Sequence, residues 1–196
     1  MTAFRLGLTG SIGMGKSTTA AMFLAEGIPV WDADAAVHRL YSAGGAAVRP
    51  VADLCPAAHQ GNAIDRVALR DWITSDPAAL PRLESVVHPL VAQDRAAFAA
   101  LHPAGILVFD IPLLFEKGTE ADCDATLLVT APANIQRARV LARPGMTEAQ
   151  FALILSRQMP DAEKRARATH IVETLSLDQT RAYVQALIAH LRSRHA

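Results

Sequence analysis

The sequence contains little cysteine, few aromatic residues and no excess of either charge. Only 2 of its 196 residues are cysteine, Cys55 and Cys123, which excludes a disulfide framework and a cysteine-rich metal site. Lys and Arg number 19, as do Asp and Glu, which argues against a broad nucleic-acid or membrane surface. With 5% aromatic but 51% hydrophobic residues, we expect a large, mainly aliphatic core.

Long apolar runs are also missing from the sequence. No stretch approaches the roughly 20 apolar residues that a membrane helix needs, and Met1–Arg5 is not the apolar stretch of a signal peptide. We therefore expect a soluble, cytoplasmic protein. Its length fits a single domain over residues 1–196, with room for a helical insertion.

The most informative segment that is present is GSIGMGKS, residues 10–17. It fits the P-loop pattern, in which two glycines separated by four residues are followed by Lys and Ser. Glycines let the backbone curl so that its N–H groups point at phosphate oxygens. Lys16 supplies a cation for the β- and γ-phosphates, and the Ser17 hydroxyl is suited to ligating Mg²⁺. The alternative is a flexible glycine-rich turn.

The sequence around this segment favours the P-loop interpretation. Residues 4–9 are predicted to form a short buried strand, and residues 17–26 a helix that ends at Gly27. A strand, a glycine-rich loop and a helix in this order are the setting that the motif requires.

Apolar runs and helical periodicity predict the remaining elements. Further strands are expected at 28–31, 105–110, 125–130 and 170–173, and helices at 35–41, 132–141, 146–159, from 160 onward, and 177–192. Residues 46–101 show only short helical patterns and no strand, which indicates a helical insertion. The alternation predicts an α/β, doubly wound fold with a five-stranded parallel sheet, whose ligands bind at the carboxyl ends of the strands.

Carboxylates follow two of the predicted strands. If the second strand continues, Asp32 and Asp34 point to the same side, where either could accept a hydroxyl proton or help to hold Mg²⁺. The alternative for Asp34 is a helix N-cap. Asp110 ends an apolar strand and is interpreted as part of the metal's surroundings. The apolar loop at 112–116 after it either lines a substrate pocket or caps the core.

Basic residues follow the fourth strand. Arg139 and Arg143 are four residues apart and share a helix face, from which they could neutralise a phosphoryl group in transfer; a solvated basic face is the alternative. Residues 164–167 are interpreted as surface charge. His88, before Pro89, is more typical of a cap or packing residue than of a ligand, and no histidine has zinc spacing.

Several of these segments together resemble the dephospho-coenzyme A kinase family, in order and spacing over about residues 4–175. The matching segments are LTGSIGMGKST at 8–18, GIPVWDAD at 27–34, HPL at 88–90, DIPLLFE at 110–116, Gln136 with Arg139 and Arg143, and RQM at 157–159. The chain departs from the family pattern around 168–174, so the resemblance does not assign an adenine contact to that segment.

The resemblance implies a P-loop kinase core with two additions, a helical coenzyme-A-binding insertion at about 46–101 and a lid at about 139–168. It implies ATP bound with Mg²⁺ and phosphorylation of the ribose 3′-hydroxyl of dephospho-coenzyme A, by a monomer or weak homo-oligomer without nucleic-acid or membrane partners. The implied site residues are Asp34, Lys16 and Arg139 for catalysis; Gly13, Met14, Gly15, Lys16, Ser17, Thr18 and Arg143 for ATP; Asp34, His88, Leu113 and Phe115 for the acceptor; and Ser17 and Asp110 for the metal.

Two other functions remain open at this point. One is another P-loop small-molecule or nucleotide kinase, which shares the phosphate-binding segment but phosphorylates a different acceptor. The other is a nucleotide-sensing or GTP-switch module, although the chain has no Asn-Lys-x-Asp segment for reading guanine. Acceptor-dependent turnover of ATP separates these possibilities.

Overall fold

The computed structural model describes residues 2–195. It contains two compact units, one formed by Met1–Trp31 with His102–Ala196 and the other by Asp32–Leu101. The first unit is built on a five-stranded parallel sheet, which confirms the predicted fold class. Its strands are β1 (Phe4–Thr9), β2 (Val30–Asp32), β5 (Ile106–Asp110), β6 (Ala125–Thr130) and β7 (His170–Glu173), in the spatial order β2-β5-β1-β6-β7.

Both faces of this sheet are buried, as its unbroken apolar strands predict. On one face, Leu6, Val108 and Leu127 join a core with helices α1 (Lys16–Ala25) and α9 (Leu177–His195). On the other, Trp31 meets Phe109 edge to face, with ring centroids 6.0 Å apart. Helices α6 (Ala133–Leu141), α7 (Glu148–Ser156) and α8 (Asp161–Arg167) connect β6 to β7.

The second unit is helical apart from one small hairpin. It contains α2 (Ala33–Tyr41), α3 (Val48–Leu54), α4 (Arg66–Ser75) and α5 (Ala79–Leu101), with a core of its own that includes Leu40, Val51, Leu69 and Val87. The prediction of no strand at 46–101 is wrong, because β3 (His59–Gln60) pairs antiparallel with β4 (Ala63–Ile64). Strands of two residues are too short to show a hydrophobic alternation.

Two helix boundaries differ from the prediction in ways that concern candidate residues. Strand β2 ends at Asp32 and α2 begins at Ala33, so Asp32 and Asp34 do not continue an extended segment. Asp32 is the N-cap, because its carboxylate accepts a hydrogen bond from the Ala35 N–H at 2.8 Å. The N-cap alternative for Asp34 is therefore wrong, and Asp34 lies in the first turn of α2.

The second boundary concerns His88, which was expected just before a helix start. It lies instead inside α5, a continuous helix of 23 residues that passes through Pro89. A proline inside a helix removes one backbone hydrogen bond and costs about 3 kcal/mol in isolation. The helix continues because Leu83 and Val87 on its apolar face are buried in the core of this unit.

Candidate active site

The glycine-rich segment has the shape of a phosphate-binding loop. Gly15 is the N-cap of α1, with a φ of 92°, and forms no side-chain capping bond. The first N–H groups of α1 are thus directed out of the helix end, where an anion is stabilised by these donors and by the helix dipole. Ser17 and Thr18 lie exposed in this first turn.

Gly13 is required by both its conformation and its surroundings. Its φ is 77°, in the left-handed region, and an added Cβ would lie 2.4 Å from Val140 Cγ2 on α6. Met14 beside it is buried, and its Sδ accepts a hydrogen bond from the Ala131 N–H at 3.0 Å. Met14 therefore contributes its backbone, and not its side chain, to the loop surface.

We expect Gly13→Ala to lower the free energy of unfolding by about 2–4 kcal/mol, since overpacking of a full site adds to left-handed strain. Urea denaturation measures this change. Gly145→Ala is the matched control, because Gly145 has a φ of 75° but nothing within 4 Å of an added Cβ. The control variant should lose only about 1 kcal/mol in free energy of unfolding, because it adds left-handed strain without overpacking. Equal losses in the two variants would show that packing against Val140 is unimportant.

Lys16 and Asp110 are brought together by strand register. Leu8 pairs with Asp110 across β1 and β5, so the carboxyl end of β5 lies level with the start of the loop. The Lys16 ammonium forms an ion pair with Asp110 Oδ1, and both side chains are largely buried. The structure thus joins a P-loop cation to the carboxylate that was predicted near the metal.

A cavity of about 410 Å³ opens beside the loop. Gly13, Gly15, Thr18 and Arg143 line it, so it unites four of the residues predicted for ATP, and Arg139, predicted for catalysis, lines it as well. The Arg139 guanidinium donates to the Thr174 hydroxyl at 2.8 Å and to its carbonyl at 2.5 Å, which ties α6 to the end of β7. Arg143 is exposed at the cavity wall.

The far wall of the cavity was missed by sequence reasoning. It consists of Thr174, Leu175, Ser176, Leu177 and Thr180, which follow β7. Thr174 is buried, and its hydroxyl donates to the Met14 carbonyl at 2.8 Å. The available signal was the position of Thr174 after a predicted strand, since ligands gather at the carboxyl ends of parallel strands.

The remaining candidates lie elsewhere or inside the core. Phe115 is only 2% exposed and lies beneath the Arg167 guanidinium, 5.2 Å from its ring centroid, whereas Leu113 is partly exposed. Asp34 and His88 belong to the unit 32–101, where both are exposed; His88 Nε2 lies 3.9 Å from Glu84 Oε1. The contacts of these four residues with a substrate stay predictions.

The oxygen ligands available for a metal are few. Within residues 2–195 no group of three or more His, Cys, Asp or Glu side chains is arranged to hold an ion. Ser17 and Asp110 do offer a hydroxyl and a carboxylate, both hard oxygen donors. They fit Mg²⁺, because this ion in nucleotide sites takes one or two protein oxygens and completes its shell with phosphates and water.

Lys164 corrects another prediction. It was interpreted as surface charge with its neighbours on α8, but its side chain is 0% exposed. Its Nζ lies 2.8 Å from Glu116 Oε1 in the loop after β5. A run of basic residues carries no signal of such burial.

Among helices within residues 2–195, none combines the length and apolarity needed to span a membrane.

Comparison with known proteins assigns the chain to a family. The dephospho-CoA kinase family model matches residues 4–178. The dephospho-CoA kinase of Cereibacter sphaeroides is 72% identical over 192 residues, 98% of each chain, and that of Jannaschia sp. is 58% identical over 96% of this chain and 97% of the relative. A crystal structure of TT1252 from Thermus thermophilus has a TM-score of 0.86 and 38% identity, covering 97% of this chain and 99% of that one. With the P-loop, the Lys16–Asp110 pair and the cavity beside them, these similarities mean that the chain belongs to the dephospho-CoA kinase family.

Proposed function

We propose that the protein transfers the γ-phosphoryl group of ATP to the ribose 3′-hydroxyl of dephospho-CoA, giving CoA. The observation that carries this proposal is the P-loop with its adjoining cavity, in a chain that matches the family model over residues 4–178. The phosphates of ATP would lie on the N–H groups at residues 13–18, and its nucleoside in the cavity. The acceptor is inferred from the names of the relatives.

Positioning and electrostatics would provide most of the rate acceleration in this mechanism. Lys16 would hold the β- and γ-phosphates, which requires its ammonium to be shared between Asp110 and the nucleotide. Arg143, exposed at the cavity wall, would approach the charge that develops on the transferring group. Arg139 would hold the cavity wall at Thr174 in place through its two hydrogen bonds to that residue. When these hydrogen bonds break, its guanidinium could reach the phosphates.

Ser17 and Asp110 would hold Mg²⁺, and the bound ion would neutralise charge on the phosphates. Asp34 would orient the acceptor hydroxyl or take its proton. Its exposed position in the first turn of α2 leaves its carboxylate accessible to a ligand. His88, Leu113 and Phe115 remain the proposed acceptor contacts, residues 46–101 the proposed coenzyme-A-binding insertion, and residues 139–168 the proposed lid.

Release of ADP that depends on an added acceptor tests this proposal. We expect ADP production with dephospho-CoA to exceed that with AMP, CMP or shikimate by at least about 10³-fold in kcat/KM, because phosphoryl transfer requires an acceptor hydroxyl held in line. The product should carry the new phosphate on the 3′-oxygen, which ³¹P NMR identifies. Preference for a nucleoside monophosphate would instead favour a nucleotide kinase, and ATP hydrolysis indifferent to every acceptor would favour a nucleotide-sensing module.

A further inference from the structure

Lys164 is a fully buried cation with one charged contact among the described residues. Removing an ammonium group from water is expensive unless it is paired, and Glu116 provides the partner. Burial raises the pKa of the Glu116 carboxyl, but its ion pair with Lys164 and the hydrogen bond that it accepts from the Met159 N–H outweigh this effect and lower its pKa overall. The Glu116 carboxyl is therefore ionised at neutral pH.

The Glu116 carboxylate holds the backbone at the end of α7. Its Oε1 accepts a hydrogen bond from the Met159 N–H at 2.9 Å, in addition to its contact with Lys164. Met159 lies in the turn between α7 and α8, so three separate segments meet at one carboxylate: the loop after β5, this turn, and α8. The position of the turn is thus fixed from the buried side.

The residue before Met159 contacts the P-loop directly. Gln158 Oε1 accepts a hydrogen bond from the Ile12 N–H at 3.2 Å. On the other side of the same residue, Gln136 Nε2 on α6 donates to the Ile12 carbonyl at 2.8 Å. Ile12 lies in the middle of the glycine-rich segment, so two glutamine amides fix both polar groups of one P-loop residue.

We infer that Lys164 and Glu116 are positioning residues for the nucleotide site: their buried ion pair holds Met159, and through it Gln158, so that Gln158 keeps the P-loop in its phosphate-binding shape. This inference rests on the nucleotide-binding part of the proposed function. It gives the α7–α8 turn a second role besides that of a lid segment. The turn supports the loop from behind through a neutral amide, which does not compete with Lys16 for phosphate.

The inference is tested by measuring the affinity for Mg²⁺–ATP by calorimetry, without acceptor. Lys164→Met with Glu116→Leu replaces the ion pair by apolar side chains of similar size, which avoids a lone buried charge. We expect this variant to retain a Tm within about 5 °C of the original yet to bind ATP about 5-fold more weakly, the effect of losing roughly one hydrogen bond. Gln158→Ala should weaken binding about 10-fold.

The combination of these substitutions is decisive. Because the ion pair acts through Gln158, the triple variant should bind ATP no more than about 10-fold more weakly than the original, since coupled residues are not additive. A multiplied loss of about 50-fold, or unchanged affinity in the apolar pair variant, would refute the inference. If the apolar pair variant does not fold, Glu116→Gln is used in its place, alone and combined with Gln158→Ala. A multiplied loss in the combination, or unchanged affinity in Glu116→Gln alone, would again refute the inference.

Hydrogen exchange at Ile12 provides a readout that does not need a ligand. Its N–H should exchange at least about 10-fold faster in the apolar pair variant, while that of Val108 in β5 should not change. Arg5→Met with Asp124→Asn is the control, because it neutralises an exposed ion pair at the opposite end of β1 and should leave ATP affinity unchanged. If the protein does not phosphorylate dephospho-CoA, the proposed function is disproved. The comparison of ATP affinities among these variants still tests the inference, because it is measured without acceptor.

Discussion

Replacement of Lys16 by Met is expected to lower kcat by about 10³-fold or more. The substitution keeps the length of the side chain but removes the cation assigned to the β- and γ-phosphates. It also removes the ion-pair partner of Asp110, which is 2% exposed and whose charge then repels the nucleotide. The affinity for ATP should fall as well, by about 10-fold or more, because a charge-assisted contact with phosphate is lost.

Steady-state ADP release and calorimetric titration with ATP measure these two effects. Lys117→Met is the matched control, since Lys117 is an exposed lysine outside the nucleotide cavity, and its loss should change kcat by less than about 2-fold. The charge on Asp110 can be tested separately. Adding Asp110→Asn to Lys16→Met should restore part of the ATP affinity by removing the repulsion, but not the rate. A Lys16→Met protein with full activity would contradict the assignment of this lysine.

The fold could be predicted from the sequence to the extent that local patterns determine it. Strands β1, β6 and β7 have the predicted limits. The P-loop could be identified by the spacing of its glycines together with the strand before it and the helix after it, since the motif requires this setting. Parallel strands place their carboxyl ends at one edge, which is why Asp110 could be expected near the loop and is found in contact with Lys16.

What could not be predicted depends on contacts between residues far apart in sequence. The burial of Lys164 follows from its meeting with Glu116, and a run of basic residues gives no sign of this. The continuity of α5 through Pro89 follows from packing of the opposite face, which outweighs the local cost of proline. In the same way, the contact of Gln158 with Ile12 joins residues 146 positions apart.

Asp32 and Asp34 show how a one-residue difference in a helix start changes the interpretation of two carboxylates. A continuing strand gave both residues the same candidate roles, as proton acceptor or Mg²⁺ ligand, and the cap was considered for Asp34 alone. In the structure, Asp32 caps α2 and its carboxylate is bonded to the Ala35 N–H, whereas Asp34 is exposed on the first turn. Capping therefore gives Asp32 a structural role, whereas the exposed carboxylate of Asp34 is not the cap of this helix.

We expect Asp34→Asn to lower kcat by about 10²–10⁴-fold, the usual contribution of a general base. Its stability should change by less than about 0.5 kcal/mol, because Asp34 is exposed and contributes to α2 only through the helix dipole. The KM for ATP should stay within about 2-fold, since the proposed role of Asp34 is toward the acceptor hydroxyl and not the nucleotide. Asp34→Glu, which keeps a carboxylate on a longer arm, should recover part of the lost rate.

Asp32→Ala is the matched control and should give the opposite result. Losing the capping bond to the Ala35 N–H should lower the free energy of unfolding by about 1 kcal/mol, while kcat changes less than about 2-fold. Urea denaturation and initial-rate kinetics on the three variants give both quantities. If Asp34→Asn turns over normally while Asp32→Ala loses activity without losing stability, then the base is Asp32 and the capping bond must break in the working enzyme.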